Sequence, residues 1–162
     1  MKSLRNISGL FVVAAILAVV VAGGIFVLTE QPPEATAQQS GAVNELLVRL
    51  LGGTPLYDPA TDSWLGIGIR RWAHAAEFWL LGVFVALASW LALKPRLAAA
   101  GVVSLCCCAA ASLFDQCHKL FVPGRHFDGF DLVMDALGYG VAILTVLLAA
   151  KAVSAAGRQR AK

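Results

Sequence analysis

The chain has 162 residues, of which 59% are hydrophobic and only 14% charged, with a mean hydropathy of +0.74. That balance excludes an ordinary water-soluble domain. The net charge of +3 comes with no extended basic face interleaved with aromatics, so nucleic acid is not an expected partner.

Four apolar runs organise the sequence: residues 7–28, 72–93, 97–114 and 132–150. Crossing the hydrocarbon of a bilayer takes about 20 helical residues, with a working range of roughly 17–25. The pattern predicts an all-α, polytopic membrane protein with four transmembrane helices and a short outer amphipathic helix. Residues 1–28 read as an N-terminal transmembrane anchor. A cleaved leader is the competing reading, with Lys2 and Arg5 as its basic start and Ala35-Thr36-Ala37 as a small-residue site. The apolar run exceeds the usual length for a leader, and the Ala-x-Ala lies well beyond its end, which favours the anchor.

Residues 29–69 read as an outer linker and amphipathic segment. Gln31-Pro32-Pro33 cannot continue a helix, so 29–39 is expected to be a polar linker. Ser40 is then the expected N-cap of a short helix with Val43, Leu46, Leu47, Leu50 and Leu51 on one face and Gly52-Gly53 at its end. This helix either lies in the membrane interface or packs as a crossover on the bundle. Turn chemistry follows over 53–68, with Trp64 as an interface anchor.

The second span opens on Arg70-Arg71-Trp72-Ala73-His74-Ala75-Ala76-Glu77, in which Arg70, His74 and Glu77 share a helix face. His74 and Glu77 lie one to two turns inside the span. Ionisable groups at that depth are costly and turn into the bundle toward a partner. The third span carries many Ala, Gly and Ser residues, which predicts a central helix, and Gly138 and Gly140 predict close approach in the fourth. Cys106, Cys107 and Cys108 are consecutive and so point three ways on a helix, which suits packing rather than one metal site. Cys117 is alone among the outer residues.

Between spans three and four lies the most polar stretch: Asp115, Gln116, His118, Lys119 and Arg125, then Asp128, Asp131 and Asp135. Val122-Pro123-Gly124 must turn. Asp128, Asp131, Asp135 and Gly138 follow at i, i+3, i+7 and i+10, one face of a helix. Eight of the thirteen Lys and Arg residues, at 2, 5, 94, 96, 151, 158, 160 and 162, fall on the opposite side of the spans. The positive-inside rule makes that side cytoplasmic, so both termini, including a basic tail over 151–162, are expected inside a bacterial inner membrane.

Arg71-x-x-His74-x-x-Glu77-Phe78, then Asp115-Gln116-x-His118-Lys119-x-Phe121-Val122-Pro123-Gly124-Arg125 and Asp131-x-x-x-Asp135-x-x-Gly138, resembles the VanZ-like membrane proteins. The resemblance covers about residues 70–146 and marks 70–150 as a three-helix membrane domain. It implies a small multi-helix protein of the bacterial envelope, in a family named for a protein associated with teicoplanin resistance. It implies no particular reaction. Two positions depart from the family pattern: Gln116 stands where Glu is usual, and Lys119 where Gln is usual.

Three readings of the cluster follow. The first is a site for an anionic envelope component at the outer leaflet, such as a lipid-linked or peptidoglycan precursor, gripped by Arg125 and Lys119. Arg70, Arg71, His74, Glu77, Asp115, Gln116, His118, Asp131 and Asp135 would complete it. The second is a metal-dependent or acid–base enzyme, since His74-x-x-Glu77 and Asp115-x-x-His118 each place a nitrogen and a carboxylate one turn apart. The third is an ion-pair staple with no chemistry. No metal-binding or catalytic motif is recognisable, so no cofactor is assigned and the expected surroundings are the lipid bilayer.

Overall fold

A computed structural model describes residues 2–51, 57–58, 61, 63–94 and 96–160. Its elements in chain order are α1 (Lys2–Glu30), α2 (Pro33–Leu51), β1 (Tyr57–Asp58), β2 (Ser63–Trp64), β3 (Ile67–Gly68), α3 (Ile69–Leu93), α4 (Leu97–His118) and α5 (Gly129–Arg160). A 3-10 turn, Lys119–Phe121, closes α4. Among the described residues, four helices are long and apolar enough to cross a membrane: Ser8–Glu30, Ile69–Leu93, Leu97–Phe121 and Gly129–Ala156. The protein is all-α and of polytopic membrane type.

The ends of the helices follow from proline and its neighbours. α1 stops at Glu30, two residues before Pro32. Lys94, the residue before Pro95, leaves α3 with φ −53° and ψ 132°, the extended conformation that the following ring favours. Between α4 and α5, Arg125 N–H donates to the Val122 carbonyl at 3.1 Å across Pro123 and Gly124. Gly124 has φ +76°, so the segment is a β-turn with Pro and Gly in the two positions that a type II turn favours for them.

Three expectations for the connections are corrected. The amphipathic helix does not start at Ser40: α2 begins at Pro33 and runs for 19 residues. Proline is well tolerated in the first helical position, where its missing N–H is not needed. The Pro32 carbonyl accepts the N–H groups of Ala35 and Thr36 and starts the helix. The linker is thereby reduced to Gln31-Pro32, while the expected stop at Gly52-Gly53 lies outside the described residues. The turn region contains a three-stranded antiparallel meander, with Tyr57 opposite Trp64 and Trp64 opposite Ile67. The Trp72 indole N–H donates to the Trp64 carbonyl at 3.0 Å, tying the meander to α3. Val43, Leu46 and Leu50 of α2 are exposed, which fits the interfacial placement better than a crossover packed on the bundle.

The central helix is α3, against which α1, α4 and α5 all pack; the alanine-rich α4 is not central. Ala and Ser permit close approach but do not choose which helix is surrounded. Glycine decides it. A Cβ on Gly138 would collide with the Ala75 carbonyl oxygen, and one on Gly82 would lie 2.9 Å from Ala142 Cβ and Tyr139 Cα. The α3–α5 crossing is thus set by glycines on both sides. Gly140, expected to share that role, has nothing near it. The core joins Ile25, Phe78, Leu81, Ala86, Cys108, Tyr139 and Ile143. Val102, Leu105, Leu113, Leu137 and Leu144 are exposed, as lipid-facing residues of such a bundle would be. Cys106 and Cys107 face outward and Cys108 inward, and all four cysteines are free.

Candidate functional site

The end of α1, the start of α3, the end of α4 and the start of α5 meet at one end of the bundle. On α4 the buried positions Ala100, Ser104, Cys108, Ser112, Asp115 and Gln116 form a helical stripe facing the interior, continued by buried Lys119. On α5, Asp131, Asp135 and Gly138 face α3, as their spacing predicted. Asp128 does not belong to that face. It precedes the helix as its N-cap, its carboxylate accepting the Phe130 N–H at 2.8 Å.

Lys119 is the hub. Its ammonium is only 2% exposed and lies 2.9 Å from Asp131 Oδ2, 3.5 Å from Asp115 Oδ2 and 3.3 Å from His74 Nε2. An ammonium has three protons and three partners surround it. Because Nε2 of a neutral imidazole beside an ammonium accepts, this contact favours the tautomer with its proton on Nδ1. Nδ1 sits 3.3 Å from Asp135 Oδ1 but off line, and neither atom completes a hydrogen bond. The other Asp135 oxygen accepts the Ser112 hydroxyl at 2.7 Å. Asp115 also accepts the Thr29 hydroxyl, which draws α1 into the network. Gln116, fully buried, donates to Asp115 Oδ2 at 3.5 Å and accepts the Asp128 N–H at 3.3 Å. A neutral amide thus bridges the end of α4 to the start of α5.

The remaining expected residues divide into four groups. Arg71 pairs with Asp128 at 3.4 Å and stacks over Phe130 with its guanidinium carbon 4.5 Å from the ring centre. His118 turns away from Asp115 and contacts Glu30, with its ring beside Phe26 and Phe114. The Asp115-x-x-His118 pair therefore does not converge on a common ligand, and among the described residues no group of three His, Cys, Asp or Glu side chains is placed to hold a metal ion. Among the described residues Arg125 meets no carboxylate. Its Nη2 donates to the carbonyls of Leu28 (3.1 Å) and Gln31 (2.8 Å) and to the Thr36 hydroxyl (2.6 Å), while Nε donates to Gln31 at 3.2 Å. A helix leaves its last carbonyls without partners and its C-terminus partly negative. Arg125 caps α1 from ninety-odd residues away and holds the α1–α2 corner.

Arg70 and Glu77 complete the set, and neither makes a hydrogen bond or ion pair with a described residue. They line a cavity of about 190 Å³ together with His74 and Arg125, walled by Leu28, Val43 and Ile69 and by Thr36, Gln39 and Ser40 of α2. A second cavity of about 360 Å³ shares Arg70 and Arg125 and adds Arg71, Lys119, Asp128 and Asp131. Burial lowers the Arg125 guanidinium from its ordinary value, and the like charge of Arg70 pushes the same way. Sequence reasoning missed Ser112, Thr29 and the α2 residues. Ser112 was findable, one turn before Asp115 on the same stripe; Thr29 and α2 carry no local signal.

Fold and site define a four-span helical membrane protein whose charged side chains gather at one end of the bundle, part in a closed network and part around open cavities. A family model described as VanZ/LLP1 matches residues 11–150, and the chain belongs to that family. The match starts within α1, so it takes in the first span and α2 as well as residues 70–150. Comparison with curated proteins gave no match, and comparison with solved structures gave none.

Proposed function

We propose that the protein binds the anionic headgroup of an envelope lipid or lipid-linked precursor in the cavities at the polar end of the bundle. Arg70 carries this reading: it lines both cavities and, among the described residues, has no carboxylate or carbonyl partner. The other cations are engaged, Lys119 by Asp131 and Asp115, Arg71 by Asp128 and Arg125 by carbonyls. Arg70 thus replaces Arg125 and Lys119 as the residue expected to grip the ligand, and its guanidinium suits a phosphate or carboxylate. It lies in the first turn of α3, where the helix dipole adds positive potential. The closed network beside the cavity, His74–Lys119–Asp131–Asp135, fixes the helices.

The basic residues outside the spans support a cytoplasmic placement of both termini, which would put this end of the bundle at the outer leaflet of the inner membrane. Family membership supports a role in glycopeptide susceptibility, through sequestering or shielding a cell-wall component. Native mass spectrometry from gentle detergent tests the binding. Wild-type protein should retain a lipid or precursor that carries a phosphate or carboxylate, and Arg70→Ala should lower retention roughly tenfold, the worth of one charge-assisted contact. Equal retention by Arg70→Ala would overturn the proposal. In cells, the same variant should accumulate normally and shift teicoplanin susceptibility toward that of a deletion.

A further inference from the structure

Resting on that reading, we infer that the preferred ligand is a zwitterionic amphiphile, whose phosphate meets Arg70 and whose protonated primary amine meets Glu77. Both residues line the smaller cavity and neither has a hydrogen-bonding or ion-pairing partner among the described residues. They stand seven residues apart on one face of α3, a rise of about 10 Å. Arginine is long enough to bend toward the carboxylate across that gap, leaving room for a short phosphate–amine spacer. A carboxylate left alone beside a partly enclosed wall is costly, and an incoming ammonium would relieve it. A purely anionic headgroup would instead set its charge against Glu77. Glu77 is thus a selectivity element as well as an acid.

The walls argue for an amphiphile. Leu28, Val43 and Ile69 supply apolar surface, while Thr36, Gln39 and Ser40 offer hydrogen bonds at headgroup level. One wall is α2, whose exposed Val43, Leu46 and Leu50 would lie against lipid, so acyl chains can leave the site without entering water. His74 and Arg125 also line this cavity, but His74 already faces Lys119, Asp131 and Asp135, and Arg125 donates to the carbonyls of Leu28 and Gln31.

The test uses the full chain in phosphatidylcholine nanodiscs, with phosphatidylethanolamine or phosphatidylglycerol as the minor lipid, and native mass spectrometry of what stays bound. Wild type should enrich phosphatidylethanolamine over phosphatidylglycerol roughly tenfold or more. Stepwise N-methylation of the amine should erode that preference, because a quaternary nitrogen has no proton to donate. Glu77→Gln should invert it in favour of phosphatidylglycerol, whereas Glu45→Gln, on the exposed side of α2, should match wild type. If wild type prefers phosphatidylglycerol, with retention still dependent on Arg70, anion binding stands and the zwitterion falls. Should Arg70→Ala change no retention, both fall together. Soluble phosphoethanolamine displacing the lipid at comparable concentration would remove the amphiphile requirement. The methylation series needs no variant, so a Glu77→Gln protein that fails to fold still leaves the inference open to refutation.

Discussion

Two layers of charge sit within one turn of each other on α3, and their chemistry differs although their residue types do not. In the buried layer His74, Lys119, Asp115, Asp131 and Asp135 face one another. In the cavity layer Arg70 and Glu77, one turn to either side of His74, have no hydrogen-bonding or ion-pairing partner among the described residues, and Arg125 is consumed by main-chain carbonyls. A charge without water must be answered by another side chain, whereas a charge at a cavity can wait for a ligand. Residue identity does not separate a staple from a site. Solvent access and partner count do.

The contrast breaks most visibly at Lys119. Lys119→Met keeps the stem and removes the ammonium facing Asp115 and Asp131. It should destabilise the protein by roughly 3–5 kcal/mol and lower its accumulation in the membrane. Thermal unfolding in detergent measures this, and a change under about 0.5 kcal/mol would mean that the buried layer is no staple.

Gly138→Ala tests whether the packing that positions both layers is as tight as it looks. The added methyl meets the Ala75 carbonyl, so α3 and α5 must part, with an expected loss of about 1–3 kcal/mol. Gly140→Ala, with open space around it, should be close to neutral or slightly stabilising in the same assay.

Arg125→Ala should cost an intermediate amount, about 1–2 kcal/mol, because the carbonyls of Leu28 and Gln31 lose a charged donor. Its loss should loosen the α1–α2 corner, seen as faster proteolysis near Gln31, while the rest of the bundle stays folded. Arg125→Lys should recover only part, since one ammonium cannot reach the same set of acceptors.

The smallest effect concerns Asp128. Its carboxyl is held below the ordinary value of 3.8, first by the Phe130 N–H and then by Arg71. A lowered folded value means that the stabilisation is complete above the unfolded value and is lost as pH falls through the folded one. Unfolding temperature should therefore dip slightly below about pH 3.8. Asp128→Asn should flatten that dip, measured by tryptophan fluorescence.

The sequence by itself determined the four spans, the all-α class and the set of residues that collect at one end. Length and apolarity decide insertion locally, and helical periodicity decides which side chains share a face. His74, Asp131, Asp135 and Gly138 were legible for that reason. Only the tertiary structure decided which charges meet, because pairing joins residues as far apart as Glu30 and His118. No local rule foretells that Arg125 would cap α1, that α3 would be the surrounded helix, or that α2 would begin at Pro33 and wall a cavity. Local patterns say that a buried charge needs a partner; the packing of helices alone says which charge is left without one.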